Sequence, residues 1–388
     1  MSFLVPFVVS FLALCSRRPR FESGCAMLYH FAVKPRQPLA KVELVGFKLG
    51  LNLAPRNVIV TPFVSRWTCH DHAHLASFLM AVRICIVGCG ALGSVIAAHL
   101  ARRPDIEVYA YDVFQEHVRA IRERGLQISG AAEFTARLNA TSEPSEIPPC
   151  DFGIFATKSI HTRAAIEQTA RVFGPSAAVC SVQNGLGNEE MIAERVRYVI
   201  RGATGLAVHM RGPGHAGIEF YGDVWIGPFE PSGTPYSLVE QLATIMNRAG
   251  LHFVPLRDAR GAQWTKLVFN SAANAVGAST RLHHGAAARF APTAALYEAL
   301  LQEGEAVARA LGIVLSADPR ELVAEGARAI TKRNASMLVD VLAQRQTEVD
   351  FINGAIADHG EKLGVPVPLN RAVWQLLKGL EHSWSNPS

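Results

Sequence analysis

Val82-Arg83-Ile84-Cys85-Ile86-Val87 runs without a break into Gly88-Cys89-Gly90-Ala91-Leu92-Gly93. The first six residues are apolar and β-branched, the composition of a parallel strand buried on both faces. The spacing predicts a helix over 94–102 and a second strand over 107–111, closed by Asp112, 24 residues after Gly88. Each glycine has a physical task in such a unit. Gly88 permits the tight turn, Gly90 lets backbone approach a pyrophosphate, and Gly93 lets the helix pack close to the strand. The helix N-terminus then offers unpaired N–H groups and the positive end of its dipole to the phosphates. An isolated glycine motif is weak evidence, but the strand before, the helix after and the acidic strand end supply the context it requires. Gly88, Cys89, Gly90, Ala91, Leu92 and Gly93 are therefore the expected cofactor cradle. Asp112 is positioned to accept hydrogen bonds from the ribose hydroxyls of NAD(H), and its charge opposes the extra phosphate of NADP(H). Arg119 and Arg122, on the next helix, could offset that charge.

Strands and helices keep alternating downstream. Strands are expected over 152–156 and 177–182 with a helix over 163–172 between them. Ligands of open α/β sheets sit at the carboxyl ends of strands, which marks Lys158 and Asn184 as cofactor or substrate candidates. Residues 202–229 read as two or three further strands, partly antiparallel, with turns at Gly212-Pro213-Gly214 and Gly222-Asp223. A helix over 235–249 and a strand over 252–255 complete a first domain, expected to span 80–257.

Beyond residue 257 the pattern becomes helical, giving a second domain over 258–388. Asp318-Pro319-Arg320-Glu321 has a helix-start pattern, and Gly312 and Gly364 stand where helices should stop. Asn370 is expected to cap a final helix bearing Val373, Leu376, Leu377 and Leu380 on one face. Lys266, Asn270 and Asn274 recur every four residues and so share one helix face. Their neighbours are mostly apolar. A lysine and two asparagines in a buried helix cost free energy unless polar groups meet them, and a cleft holding a carboxylate substrate would. From Ser336, four-residue steps reach Asp340, Gln344 and Glu348. Taken alone, Asp340 and Asp350 read as solvated.

The net charge of +5 is unevenly placed. Residues 1–79 hold nine Lys/Arg against three Asp/Glu, which leaves 80–388 at −1. A near-neutral body gives no electrostatic case for nucleic acid. The seven cysteines show no paired spacing, so a reducing, cytoplasmic setting is the default. No run of 18 apolar residues suggests a membrane span. Cys69, His70, His72 and His74 lack a second ligand pair, and no metal site is expected. Residues 1–79 show no sustained periodicity. Because Met80 precedes the glycine motif as an enzyme start would, they read as a non-native or disordered extension.

Together these blocks resemble the ketopantoate reductase (2-dehydropantoate 2-reductase) family over about 300 residues. The landmarks are GCGALG at 88–93, Lys158, QNGLGNE at 183–189, KLVFNSAAN at 266–274, and SMLVD with RQTEVDFINGAI across 336–356. The resemblance implies a Rossmann-type dinucleotide-binding domain followed by an all-helical C-terminal domain, with the active site between them. It implies that Lys266 and Glu348 are catalytic and that Asn184, Asn270, Asn274 and Ser336 bind substrate. Asn184 and Lys158 would also lie beside the cofactor. The implied reaction is NADP(H)-dependent reduction of 2-dehydropantoate to pantoate, in pantothenate synthesis. One departure stands out: Asp112-Val113 occupies the place where NADPH-using members often carry arginine, so NAD(H) stays open. Alternatives are another small 2-oxo acid, as in hydroxyacid or opine-type dehydrogenases, and a non-catalytic cofactor sensor. A homodimer is compatible with the sequence.

Overall fold

A computed structural model describes residues 81–328 and 334–385, with the backbone of three short strands before them. The chain divides into two units, Met1–Met80 and Ala81–Ser388. In the first, β1 (Val8–Ala13), β2 (Met27–Ala32) and β3 (Phe63–Val64) pair antiparallel in that order. These strands occur where the sequence shows no sustained periodicity, each being a short run of β-favouring residues. The Met80 start and the Cys69, His70, His72 and His74 group lie outside the described residues.

The second unit opens with β4 (Val82–Val87), α1 (Ala91–Leu100), β5 (Ile106–Tyr111) and α2 (Gln115–Arg124). Three short strands follow, β6 (Leu126–Gly130), β7 (Phe134–Ala136) and β8 (Asn139–Thr141). Then come β9 (Cys150–Phe155), α3 (Thr162–Thr169), β10 (Phe173–Ser181), α4 (Asn188–Ala193) and β11 (Tyr198–Thr204). Two hairpin strands, β12 (Ala207–Gly212) and β13 (His215–Phe220), precede β14 (Val224–Pro228), α5 (Tyr236–Arg248) and β15 (Phe253–Pro255).

The main sheet has the order β15-β14-β11-β10-β9-β4-β5-β8. Across the sheet from β8 to β11 all strands are parallel, with β4 at the centre; strands are added in one direction through β5 and β8 and in the opposite direction from β9 onward. That is the doubly wound order, and its switch point lies between the ends of β4 and β9. β14 joins β11 antiparallel, so the sheet is mixed at that edge. The alternation of β4 accounts for its unbroken apolar run. Ile84 and Ile86 enter one core with Val95, Ile96 and Leu100, while Cys85 and Val87 enter the other with Phe155, Ile166 and Val179.

The segment 126–141, where the sequence predicts no strand, builds β6, β7 and β8. β6 and β7 join the hairpin in a second sheet ordered β12-β13-β6-β7. Leu126, Ile128, Ala216 and Ile218 of this sheet share a core with α1. That cover explains why α1 is buried from Gly93 to Leu100, with no polar face.

From Arg260 the described residues are helical: α6 (Arg260–Thr280), α7 (His284–Arg289), α8 (Ala291–Ala310), α9 (Pro319–Arg328), α10 (Ser336–Leu342), α11 (Asn353–Leu363) and α12 (Pro368–Ser385). Leu267, Val268, Val276, Leu300, Val307, Ile356 and Leu377 form their common core. α6 and α8 cross closely at Gly304, where a β-carbon would lie 2.9 Å from Val268. Gly312 and Gly364 take left-handed backbone at helix ends, as expected.

Two expectations fail here. Asn370 is not a cap. It lies inside α12, fully buried, with its amide donating to Glu303 and Leu300 while Asn353 donates to it. Pro368 begins that helix instead. Leu376 is 61% exposed, because the buried stripe through Val373 and Leu377 is narrower than the sequence implies. Among the described residues no helix is long and apolar enough to cross a membrane.

Candidate active site

The glycine loop follows β4. Gly88 has φ +87°, and a β-carbon there would sit 2.6 Å from the Thr157 backbone, so this glycine lets the loops after β4 and β9 touch. At Gly93 a β-carbon would fall 1.9 Å from the Gly88 carbonyl oxygen, which fixes how closely α1 meets the strand. Gly90 differs: a β-carbon there would meet nothing within 4 Å, and the residue lines a cavity of about 1010 Å³. The α1 N-terminus has no side-chain cap and no acidic residue in its first turn. An unblocked helix start, a bare backbone at Gly90 and open space in front of both fit a dinucleotide's phosphates.

Asp112 ends β5 beside this loop. Its carboxylate accepts the Cys89 N–H at 2.7 Å and the Phe114 N–H at 2.8 Å, which ties the glycine loop to the strand end. The remaining lone pairs stay available where Asp112 lines the cavity. Arg122 does not offset the charge there: it donates to Glu146 at 2.6 Å and to the Ala140 carbonyl. Behind the loop, His117 accepts the Gly214 N–H at 2.9 Å, so its other ring nitrogen carries the proton toward Ser94. Ser94 in turn donates to the Cys89 carbonyl.

At the far end of the cavity the polar face of α6 meets the loops after β9, β10 and β11. Lys266 donates to the Thr204 carbonyl, which ends β11. Burial pushes its ammonium down to about 8, partly opposed by the Glu348 charge. Glu348 is 4% exposed. Its carboxylate accepts from the Ser159 N–H (3.0 Å), the Ser159 hydroxyl (3.2 Å) and the Asn184 amide (3.2 Å). Asn270 donates to the Asn184 oxygen at 3.5 Å. Asn274 is buried and Ser336, the first residue of α10, is exposed; both line the same cavity.

Lys158 lines the cavity but is held by acids. Its ammonium donates to Asp340 at 2.7 Å and lies 3.6 Å from Glu348. Burial works against its charge, but the Glu348 and Asp340 carboxylates outweigh it and hold this lysine above its ordinary range. Asp340 therefore departs from the solvated reading. It is 3% exposed and paired with both Lys158 and Arg345. Asp350 is likewise occupied, by Trp374 and Lys378. The four-residue steps also break. α10 ends at Leu342, Gln344 turns left-handed at φ +50°, and Glu348 reaches the site from a loop.

Ser159 went unread in the sequence, although it directly follows Lys158 at a strand end and supplies two of the hydrogen bonds to Glu348. Gln183 is a second omission. It donates to Thr157 and Thr162, bracing the β9 loop against the β10 loop. Among the described residues no group of acids, histidines and cysteines could hold a metal ion.

Known proteins share both the sequence and the fold of this chain. The family model for ketopantoate reductase PanE/ApbA matches residues 84–231, and that for its C-terminal part matches 258–381. A 2-dehydropantoate 2-reductase of Archaeoglobus fulgidus is 30% identical over 303 residues, covering 77% of this chain and 98% of the relative. A PanE/ApbA family ketopantoate reductase structure from Ralstonia eutropha JMP134 is 30% identical with a TM-score of 0.71, over 79% of this chain and all of that one. A D-mandelate dehydrogenase solved with NADH and anilino(oxo)acetate shares the fold at 24% identity and TM-score 0.72, over 78% of this chain and all of that one.

Proposed function

The chain belongs to the ketopantoate reductase family, and on that premise we propose that it reduces 2-dehydropantoate to pantoate, a step in pantothenate synthesis. A bound nicotinamide cofactor supplies the hydride. The residues supply orientation and the proton. As hydride reaches the keto carbon, charge develops on its oxygen, and the Lys266 ammonium is suited to bind and protonate that oxygen. An ammonium near 8 gives up its proton more readily than an ordinary lysine, yet is mostly charged at neutral pH. Glu348, fixed by Ser159 and Asn184, would hold the substrate hydroxyl and keep Lys266 charged. Asn270, Asn274 and Ser336 would orient the carboxylate. The observation that carries this reading is the half-buried Lys266 in one cavity with an immobilised Glu348. A cofactor sensor has no need of such a proton donor.

NADH is the preferred cofactor in this proposal. The Asp112 carboxylate and the exposed, uncharged Val113 and Phe114 at the β5 end support it. So does the engagement of Arg122 with Glu146. The test is the oxidation of NADH and of NADPH, followed separately with 2-dehydropantoate. Turnover with a higher kcat/KM for NADH is expected. Cofactor binding without turnover of this substrate would sink the activity, and an NADPH preference would sink only the cofactor choice.

A further inference from the structure

Glu348 enters the site from a loop, yet the residues on either side of it are tied down. Thr347 is fully buried, and its backbone N–H and its hydroxyl both donate to Oε1 of Glu381, at 2.8 and 2.6 Å. The same hydroxyl accepts the Val349 N–H at 3.2 Å. Side chains thus satisfy the backbone donors before and after Glu348, as a buried loop requires. Asp350 accepts from the Trp374 indole at 2.6 Å and from the Lys378 ammonium at 2.9 Å. Lys378 also donates to the second Glu381 oxygen at 2.7 Å, which links the two acids. Trp374, Lys378 and Glu381 follow one another at helical spacing on one face of α12. Gly354 leaves room for the indole, since a β-carbon there would lie 3.1 Å from its nitrogen. The side chain of Glu381 is 9% exposed. A carboxylate that far from water must be paired and hydrogen-bonded, and its partners here are the backbone beside Glu348 and Lys378. Neither Glu381 nor Lys378 lines the cavity.

Resting on the reductase reading above, we propose that Glu381, backed by Lys378, is a positioning residue for Glu348. Glu348 is held at two points. Its carboxylate is fixed by Ser159 and Asn184, and the backbone beside it by α12. A substrate hydroxyl that engages the carboxylate competes with the first set of bonds. The α12 clamp stands outside the cavity and keeps the backbone in place through that exchange. A misplacement of about 1 Å in the groups that orient substrate can cost on the order of 10²-fold in rate, so the clamp acts on turnover through Glu348.

The experiment compares the full chain with Glu381→Ala, Glu381→Gln, Thr347→Val and Glu303→Ala, each loaded with reduced cofactor. Kinetics with 2-dehydropantoate are read beside cofactor affinity, Tm and amide hydrogen exchange over 345–352. Glu381→Ala should raise KM for the 2-oxo acid and lower kcat/KM at least ~10-fold, with cofactor affinity held within about twofold. A smaller folded fraction would instead lower kcat at unchanged KM. Exchange at Thr347 and Val349 should become faster in the same variant. Glu381→Gln keeps an acceptor oxygen for Thr347 and should restore kcat/KM to within about threefold of wild type. Should Glu381→Ala not fold, Thr347→Val, which removes only the hydroxyl bonds, carries the test with a KM rise of about threefold. Glu303→Ala loosens α12 at its other end, where Glu303 accepts the Leu369 and Asn370 N–H groups, and should lower Tm without raising KM. An unchanged KM in Glu381→Ala, or an equal rise in Glu303→Ala, would overturn the proposal. If wild type does not reduce 2-dehydropantoate, the reductase reading falls separately. Exchange then decides the clamp, which stands if Glu381→Ala speeds it and falls if it does not.

Discussion

Lys266 and Glu348 show how position changes the chemistry of an ordinary side chain. Burial favours the uncharged amine at Lys266, and the nearby carboxylate favours the ammonium; burial wins, and the group titrates near 8. Because the ammonium is the proton donor, ketone reduction should be full below that value and decline as pH rises through about 8. Lys266→Ala should lose at least ~10² in turnover while still binding cofactor, which equilibrium titration checks; near wild-type turnover would refute the role. Glu348→Gln removes the charge that holds the Lys266 proton. The falling limb of its kcat/KM–pH profile should move below 8. A limb that stays in place or moves up would mean that Glu348 acts only through its hydrogen bonds.

At the scale of elements, the β4–α1 unit separates two kinds of glycine. Gly93 is bound by close packing and Gly90 by what approaches from the cavity. Gly93→Ala forces its β-carbon against the Gly88 carbonyl and should cost about 1–3 kcal/mol of stability, read as a lowered Tm. Gly90→Ala should fold normally and still lose cofactor affinity by about tenfold, since its methyl would occupy phosphate space. Equal effects of the two substitutions on Tm would contradict that division. α6 plays the matching part on the other side of the cleft. Its apolar residues enter the helical core, while Lys266, Asn270 and Asn274 face the cavity, so one helix both holds the bundle together and presents the site.

Across the whole second unit, a buried polar chain joins the sheet to the helices. Gln263 of α6 donates to Glu189 of α4 at 2.8 Å and accepts from Arg201 of β11 at 2.6 Å, and Arg201 also donates to Glu230. Burial raises the Glu189 carboxyl to about 7, with Arg201 opposing the rise. The folded state therefore binds a proton that the unfolded state has released between about 4.5 and 7. Stability should fall as pH rises through that window, by on the order of 3 kcal/mol from this group. Glu189→Gln should flatten the decline, raising Tm relative to wild type at pH 8 more than at pH 5. Melting curves across pH test this, and a parallel offset at both pH values would rule it out.

Patterns of local period determined much of this protein from sequence alone. The run 82–93 specifies a strand, a turn and a helix because each demands its own residue types in order. The spacing of Lys266, Asn270 and Asn274 places them together because helix geometry is fixed at 3.6 residues per turn. The polar blocks carried the family resemblance, and with it the reaction. What the tertiary structure decided depends on partners distant in the chain. The strands within 126–141 are too short to announce themselves and exist by pairing with β5 and with the hairpin near residue 215. Asp340 is indistinguishable from a solvated acid until Lys158, 182 residues earlier, folds against it. Ser159 becomes an anchor for Glu348 only when the β9 loop meets the segment after α10. Periodicity reports which face of an element is apolar; it carries no information about which other element will cover it.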